Sequence, residues 1–460
     1  MKLSKLIIKN FQQFQDVELN LTYPKDHPDP SKAGKPLEKV CFIGKNGTGK
    51  STLLKLIKRL ILNNLDPLYI PFPYSKEAPV FIACKINAFD EERFLVSMNS
   101  GTLEFKASIN NEGNWIPDFI NINCGRIIGN VVINGYLTKY LINDNLFQKT
   151  LLNEKASSLI TYSPAECSTN AYASITDVPD VKLNEALSLF DDFPFYNTVD
   201  FASIDSFWKL LTYQLKKREN DLRSFQNKEE NLDKTIRQIQ HEFNQNNPSI
   251  LDSLGELWNS ILNKAGLEFD VQGASNPIQL TDVLKAYIKL KSTGKTIPYA
   301  NLSTGIRNFI FRLGHIYSLY FNRNIQRGIL LVDEPENSLF PDFLYGLVAQ
   351  YESIIQNTQL FMATHSPIIA AQFDPSERII LYFDEKGHVV AKKGVSPQGD
   401  DPNDMLTNDF EVESILGEKG LEMWNRYVAL KSMMKDEQDT EKKKAYIAEF
   451  MEIGNRYNFG

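Results

Sequence analysis

The sequence predicts an α/β fold with an open sheet, and three observations predict it. Val40–Ile43, Ile329–Val332 and Leu360–Ala363 are short apolar runs with the character of buried strands. Each run ends in residues able to do chemistry: a glycine loop, then Asp333-Glu334, then Thr364-His365. Helical patterns accompany them, with Leu53, Leu56, Ile57, Leu60 and Ile61 on one face after the first run. A second patterned helix, carrying Phe309, Phe311, Leu313 and Ile316, precedes the second run. In open α/β sheets ligands bind beyond the carboxyl ends of the strands, which is where all three polar sets would lie.

Composition narrows the class. The 460 residues suffice for two to three domains, with 42% hydrophobic and 23% charged residues, as in ordinary globular proteins. Cys41, Cys84, Cys124 and Cys167 are far apart and form no CxxC pair. That spacing argues against zinc and for reduced thiols in a cytosol. No apolar run approaches the ~18 residues of a membrane span, and the N-terminus is too polar for a signal peptide. The expectation is a cytoplasmic protein with no membrane partner. A net charge of −7 gives no overall pull toward nucleic acid.

The first run leads into GKNGTGKS, Gly44–Ser51, which matches GxxxxGK[ST]. Gly44, Gly47 and Gly49 let the backbone turn tightly and aim N–H groups at phosphate oxygens. Lys50 would neutralise the β- and γ-phosphates, and the Ser51 hydroxyl would ligate Mg²⁺. Asn46 and Thr52 complete the candidate cofactor-binding set, and the helix that follows points its positive end at the same anion. ATP and Mg²⁺ are the cofactors expected. Asp333 would hold the metal's shell together with Ser51. Glu334 would orient or deprotonate an attacking water, since phosphoryl transfer depends on in-line positioning. His365, at the tip of the third run, would contact the γ-phosphate or that water. Glu334 and His365 are the catalytic candidates.

The stretch NLSTGIR, in which Ser303 and Gly305 precede the patterned helix, resembles the LSGGQ signature of the ABC ATPase superfamily. The motif order also matches: phosphate loop, inserted lobe, signature, acidic strand, histidine loop. The resemblance implies an ABC ATPase head, a RecA-like sheet core with N-terminal antiparallel strands and an inserted helical lobe. It also implies a head-to-tail homo-oligomer, in which Ser303 and Gly305 of one copy close on the phosphate held by Lys50 of another. The opening LIIKNFQQFQDVELNL resembles the first strand pair of RecF, SMC and OLD-type ATPases, with Gln12 where many relatives carry arginine. Tyr162 and Ser163, ending LITYS, stand where the family's Q-loop would begin, without its glutamine. Phe11 and Phe14 are candidates to stack on adenine.

The domain reading is residues 1–120 for the first part of the core, 121–298 for the inserted lobe, 299–395 for the second part and 396–460 for a helical tail. Within the lobe, Leu211, Leu215, Arg218, Leu222, Phe225, Glu229, Leu232, Ile236, Ile239 and Phe243 keep a heptad seam. A continuous helix over it would span about 50 Å, either as a protruding coiled-coil arm for assembly or as one long helix packed into the core of the lobe. LDSLGELWNSILNKAG then reads as a returning helix, and RIILYFDEKGHVVAKKG as a β-hairpin turning at Lys386-Gly387. QLKKREN and TEKKKAY are basic clusters mixed with acids and read as solvated helix faces. Asp400, Asp401 and Asp404 cluster in a loop with little of a metal site's setting. The tail carries no strand pattern for the TOPRIM nuclease that OLD-type proteins append.

An ATPase without its own nuclease resembles the stand-alone ABC-type ATPases of bacterial anti-phage systems, the PtuA proteins of Septu and retron systems among them. DMLTNDFEVES, followed by a helix over Leu421–Phe450, carries that last resemblance. It implies an oligomeric ATPase that regulates a separate HNH-like nuclease and reaches nucleic acid through that partner. The other readings are a RecF- or SMC-like DNA repair ATPase and a scaffold that binds ATP with little turnover.

Overall fold

The computed structural model describes residues 1–62, 81–88, 91–98, 101–106, 127–128, 130–131, 153–154, 157–165, 195–200, 203–270, 288–297 and 301–459. They fall into two compact units, Met1–Gly399 and Asp400–Gly460. The predicted boundaries at 120–121 and 298–299 lie outside the described residues, as do Cys124 and Cys167.

The first unit opens with β1 (Lys2–Phe11) and β2 (Phe14–Asn20), followed by β3 (Lys39–Gly44) and α1 (Lys50–Leu62). β4 (Phe81–Ala88), β5 (Glu91–Met98) and β6 (Gly101–Lys106) join the opening hairpin in an antiparallel sheet ordered β2-β1-β4-β5-β6. β7 (Ile127–Ile128) and β8 (Asn130–Val131) are a minimal pair. β9 (Ser158–Ser163) and β10 (Tyr196–Thr198) precede a helical lobe of α2 (Ile204–Gln226), α3 (Ile236–Asn246) and α4 (Ile250–Leu262). β11 (Leu267–Phe269), β12 (Ile288–Leu290) and β13 (Thr296–Ile297) form a small antiparallel sheet. The unit ends with α5 (Thr304–Tyr320), β14 (Arg327–Asp333), α6 (Leu347–Ile354), β15 (Thr358–Ala363), β16 (Arg378–Phe383) and β17 (Val389–Lys393).

The main sheet is ordered β10-β9-β14-β15-β3-β16-β17, parallel throughout except for β17. β3, β14 and β15 are the three apolar runs, and they are almost wholly buried because helices and a second sheet cover both faces. β9, β14 and β15 lie to one side of β3, and β16 and β17 to the other. The chain therefore changes side at β3, and in open α/β sheets it is beyond the carboxyl ends of the strands at such a point that ligands bind. The apolar stripe of α1 (Leu53, Leu56, Ile57, Leu60, Ile61) is buried in a core shared with Leu6, Ile8 and Ile82 of the antiparallel sheet and Ile329, Leu331 and Phe361 of the parallel one.

One buried polar side chain ties the two sheets together. Gln359 on β15 accepts from the Leu3 amide at 2.6 Å and donates to the carbonyls of Leu3 at 2.9 Å and Leu37 at 2.7 Å. Replacing it with leucine orphans three buried backbone groups. Gln359→Leu is expected to lower unfolding stability by about 2–4 kcal/mol, checked by denaturant titration.

The heptad seam does not form one helix. α2 stops at Gln226, and Leu232 and Ile236 are 67% and 70% exposed. Asn231 donates its side-chain amide to the Phe225 carbonyl at 2.8 Å, closing the end of α2. Thr235 and Gln238 then form a reciprocal capping box that starts α3 afresh. The two helices fold together, with Phe225 and Phe243 rings 5.7 Å apart and Arg218 donating to the Asn244 side chain at 2.6 Å. α4 is the returning helix, and its buried Trp258 donates to the Ile310 carbonyl of α5 at 3.1 Å.

The second unit consists of α7 (Pro402–Asn408), α8 (Glu418–Asp436) and α9 (Thr440–Tyr457). The single helix expected over Leu421–Phe450 is two, because Asp439 accepts from the Glu441 and Lys442 amides and caps a new start. α8 and α9 pack through Tyr427 on Phe450, rings 4.1 Å apart, and through a two-pronged Arg426–Glu449 pair at 2.7 Å. Asp401 is used as the N-cap of α7, and no metal-binding cluster occurs among the described residues.

Candidate functional site

The phosphate-type loop lies where β3 meets α1, beyond the carboxyl end of β3. Gly49 adopts φ 92°, and a β-carbon there would fall 2.4 Å from Phe14 Cζ. Gly44 at φ 149° would drive a β-carbon to 2.3 Å from the Leu381 carbonyl of β16. Only glycine lets the loop pass so close to its neighbours. Thr48 pins the turn by donating its hydroxyl to the Lys45 carbonyl at 2.8 Å. Asn46 is exposed at the tip, and Thr52 is half-buried on the first turn of α1.

Lys50 is buried, its ammonium donating to the carbonyls of Gly44 at 2.8 Å and Lys45 at 3.3 Å. Burial lowers its pKa to about 8, against the pull of Glu334, Asp333 and Glu336, in that order. Ser51 donates its hydroxyl to Asp333 Oδ1 at 3.0 Å, joining the loop to the end of β14. Burial raises the Asp333 carboxyl above the usual range, opposed by that hydroxyl. Glu334 follows at φ 44°, left-handed for a residue with a side chain. Three hydrogen bonds hold it there: its amide donates to the Ala363 carbonyl at 2.8 Å, and its carbonyl accepts from Arg312 Nη1 at 2.9 Å and from the Asn337 amide at 3.2 Å. Such backbone strain is typical of sites where a side chain must be aimed. His365 Nε2 lies 3.9 Å from Glu334 Oε1. Burial and then Lys50 push the imidazole below its ordinary pKa, opposed by the Glu334 carboxylate.

Lys50, Ser51, Asp333, Glu334 and His365 are thus brought together from three adjacent strand ends. Ser303 caps α5 by accepting from the Ile306 amide at 3.4 Å and is exposed. Gly305 lies under the turn after the acids, where a β-carbon would sit 1.9 Å from the Ser338 carbonyl oxygen. Tyr162 and Ser163 end β9 beside β14, with Tyr162 paired to Leu331 and Ser163 to Val332.

Three contributors escape sequence reasoning. Glu336 accepts from the Thr364 hydroxyl at 2.6 Å and the His365 amide at 2.7 Å, fastening the histidine loop to the acidic turn. Arg312 is 2% exposed and donates to the carbonyls of Asp333, Glu334, Pro164 and Ala165. It thereby ties α5 to the ends of β14 and β9. A lone arginine on the apolar face between Phe311 and Leu313 is the signal that could have found it. Gln13, beside the Gln12 singled out above, donates to the Gly47 carbonyl at 3.1 Å. Phe14 is fully buried beneath Gly49, which removes it as a platform for a base.

A nucleoside triphosphate with Mg²⁺ fits this donor set. The loop offers amide donors, a buried cation and a helix N-terminus. Ser51 and Asp333 offer two hard oxygens, the small share of a Mg²⁺ shell that proteins supply when phosphates and water complete it. The metal and the phosphates, when bound, bring a polarised γ-phosphoryl group, and Glu334 and His365 can hold a water against it.

The AAA ATPase domain family matches residues 1–370. Among solved structures, an Smc head bound to the C-winged helix domain of ScpA is 11% identical, covering 85% of this chain and 98% of that one with a TM-score of 0.43. The SMC head domain from Thermotoga maritima is 11% identical, covering 86% and 100%, with a TM-score of 0.38. An Smc head domain with an extended coiled coil, bound to the C-terminal domain of ScpA derived from Pyrococcus furiosus, is 12% identical, covering 85% and 96% at 0.41. A search of curated proteins finds no match. With a family match spanning most of its length and the phosphate-type loop, paired acids and histidine gathered at adjacent strand ends, the chain belongs to the AAA ATPase domain family.

Proposed function

We propose that the chain is an ABC-type ATPase that uses bound ATP as a switch for assembly and, through it, regulates a separate HNH-like nuclease in defence against phage. The observation that carries the ATPase part is the Ser51–Asp333 hydrogen bond at 3.0 Å beside the Glu334–His365 pair at 3.9 Å. Loop, metal oxygens and water-holding residues then gather at adjacent strand ends. Lys50 takes the β- and γ-phosphates, Ser51 and Asp333 the Mg²⁺, and Glu334 with His365 the attacking water. The exposed Ser303 of a second copy closes over the γ-phosphate, with Gly305 packed beneath the Ser338 carbonyl to hold that turn.

An outside effector is supported by the second unit, whose helices expose Trp424, Val428, Ile447 and Met451 at 41–58%, apolar area suited to a protein partner. The test is a DNA-cleavage assay with ATP and Mg²⁺. The chain alone is expected to leave DNA intact, with cleavage appearing when an HNH-like nuclease that co-purifies with it is added. Cleavage by the chain alone, lost in Glu334→Gln, would overturn the regulatory reading.

A further inference from the structure

We propose that Phe383 is the platform on which the nucleotide's base stacks. The inference rests on the ATP reading above and adds the base subsite to it. The sheet order sets the direction of the bound molecule. Asp333, Glu334 and His365 occupy the ends of β14 and β15, on one side of β3. The reacting γ-phosphoryl end must therefore point to that side. The base end then extends across the loop toward β16.

Phe383 is the last residue of β16 and is 43% exposed, whereas Ile379, Ile380 and Leu381 of the same strand are buried. It stands against the loop itself, since a β-carbon on Gly47 would lie 3.9 Å from Phe383 Cζ. Its position is fixed from both sides. The hairpin turn just beyond it is closed by Asp384, whose carboxylate accepts from the Lys386 and His388 amides at 2.9 and 2.8 Å. The same hairpin is tied to the β1–β2 turn, where the Val389 amide donates to the Gln13 carbonyl at 3.1 Å. Gln13 in turn bonds the loop at Gly47. An exposed aromatic ring held rigidly against a phosphate loop is suited to the π-face of a base. Stacking of this kind is tolerant of base identity, so purine triphosphates should bind alike.

The test is calorimetric titration of Phe383→Ala and Phe383→Tyr with ATP and with inorganic tripolyphosphate, which has the phosphates and no base. Phe383→Ala is expected to weaken ATP by about tenfold, within the range measured for losing a base–aromatic stack. Phe383→Tyr should keep wild-type affinity, and tripolyphosphate should bind all three proteins equally. Unchanged ATP affinity in Phe383→Ala would overturn the proposal, and so would an equal loss for tripolyphosphate. Failure of the wild-type chain to bind ATP at all would instead overturn the ATP reading, and this subsite with it.

Discussion

Lys50→Ala is expected to abolish ATP binding. The ammonium is buried and its present partners, the carbonyls of Gly44 and Lys45, are loop groups. A bound triphosphate would replace weak neutral acceptors with charged oxygens at the same place. Removing one member of such a buried charge pair leaves the other unpaired in a site of low polarity. The expected loss is about 100-fold or more in affinity, read by isothermal calorimetry. Unchanged affinity would remove Lys50 from the phosphate site. The pH dependence follows from the same environment. With its pKa lowered to about 8, Lys50 is charged below that pH and increasingly neutral above it. Phosphate binds the charged form, so ATP affinity should be level up to about pH 8. Above it, affinity should fall by at most about tenfold per pH unit, with one proton taken up on binding. The effect on stability has the opposite sign. The folded chain holds its lysine proton less tightly than the unfolded one, so this cost of burial is full below pH 8 and fades as pH rises through it.

Glu334→Gln is expected to separate binding from turnover. In the proposed reading the carboxylate orients water, while Lys50, Ser51 and Asp333 would hold the phosphates and metal. The amide keeps the shape and loses the base. ATP hydrolysis should fall by about 10²–10⁴-fold, the usual contribution of a positioned general base, with ATP affinity within a few-fold of wild type. Steady-state hydrolysis paired with equilibrium binding checks both halves. A variant that still turns over ATP at the wild-type rate would transfer the role to another group, with His365 the nearest.

What was legible in the sequence was local. The glycine loop, Asp333-Glu334 and Thr364-His365 each sit at the end of a strand that announces itself by an apolar run, and the sheet brings those ends together. The Lys386-Gly387 turn was legible for the same reason, since Gly387 takes φ 78° between two apolar strands. The residues that join these pieces were not legible. Glu336 matters because β15 ends beside it, Arg312 because α5 packs across two strand ends, and Phe383 because β16 lies next to β3. Each depends on strand order, which the chain does not state. The long seam misled because apolar spacing alone cannot weigh a helix's continuation against a new start. At Asn231–Gln238 the side chains of Asn231, Thr235 and Gln238 satisfy backbone groups that a continuous helix would have bonded itself, and the chain turns.

The account turns on two copies closing over one triphosphate, and the solution mass of Glu334→Gln by light scattering, with and without ATP and Mg²⁺, tests it most directly. The predicted result is an ATP-dependent rise in mass of at least twofold, lost when Ser303→Arg is added although ATP still binds. A mass that stays the same at saturating ATP, or a rise indifferent to Ser303→Arg, would contradict it.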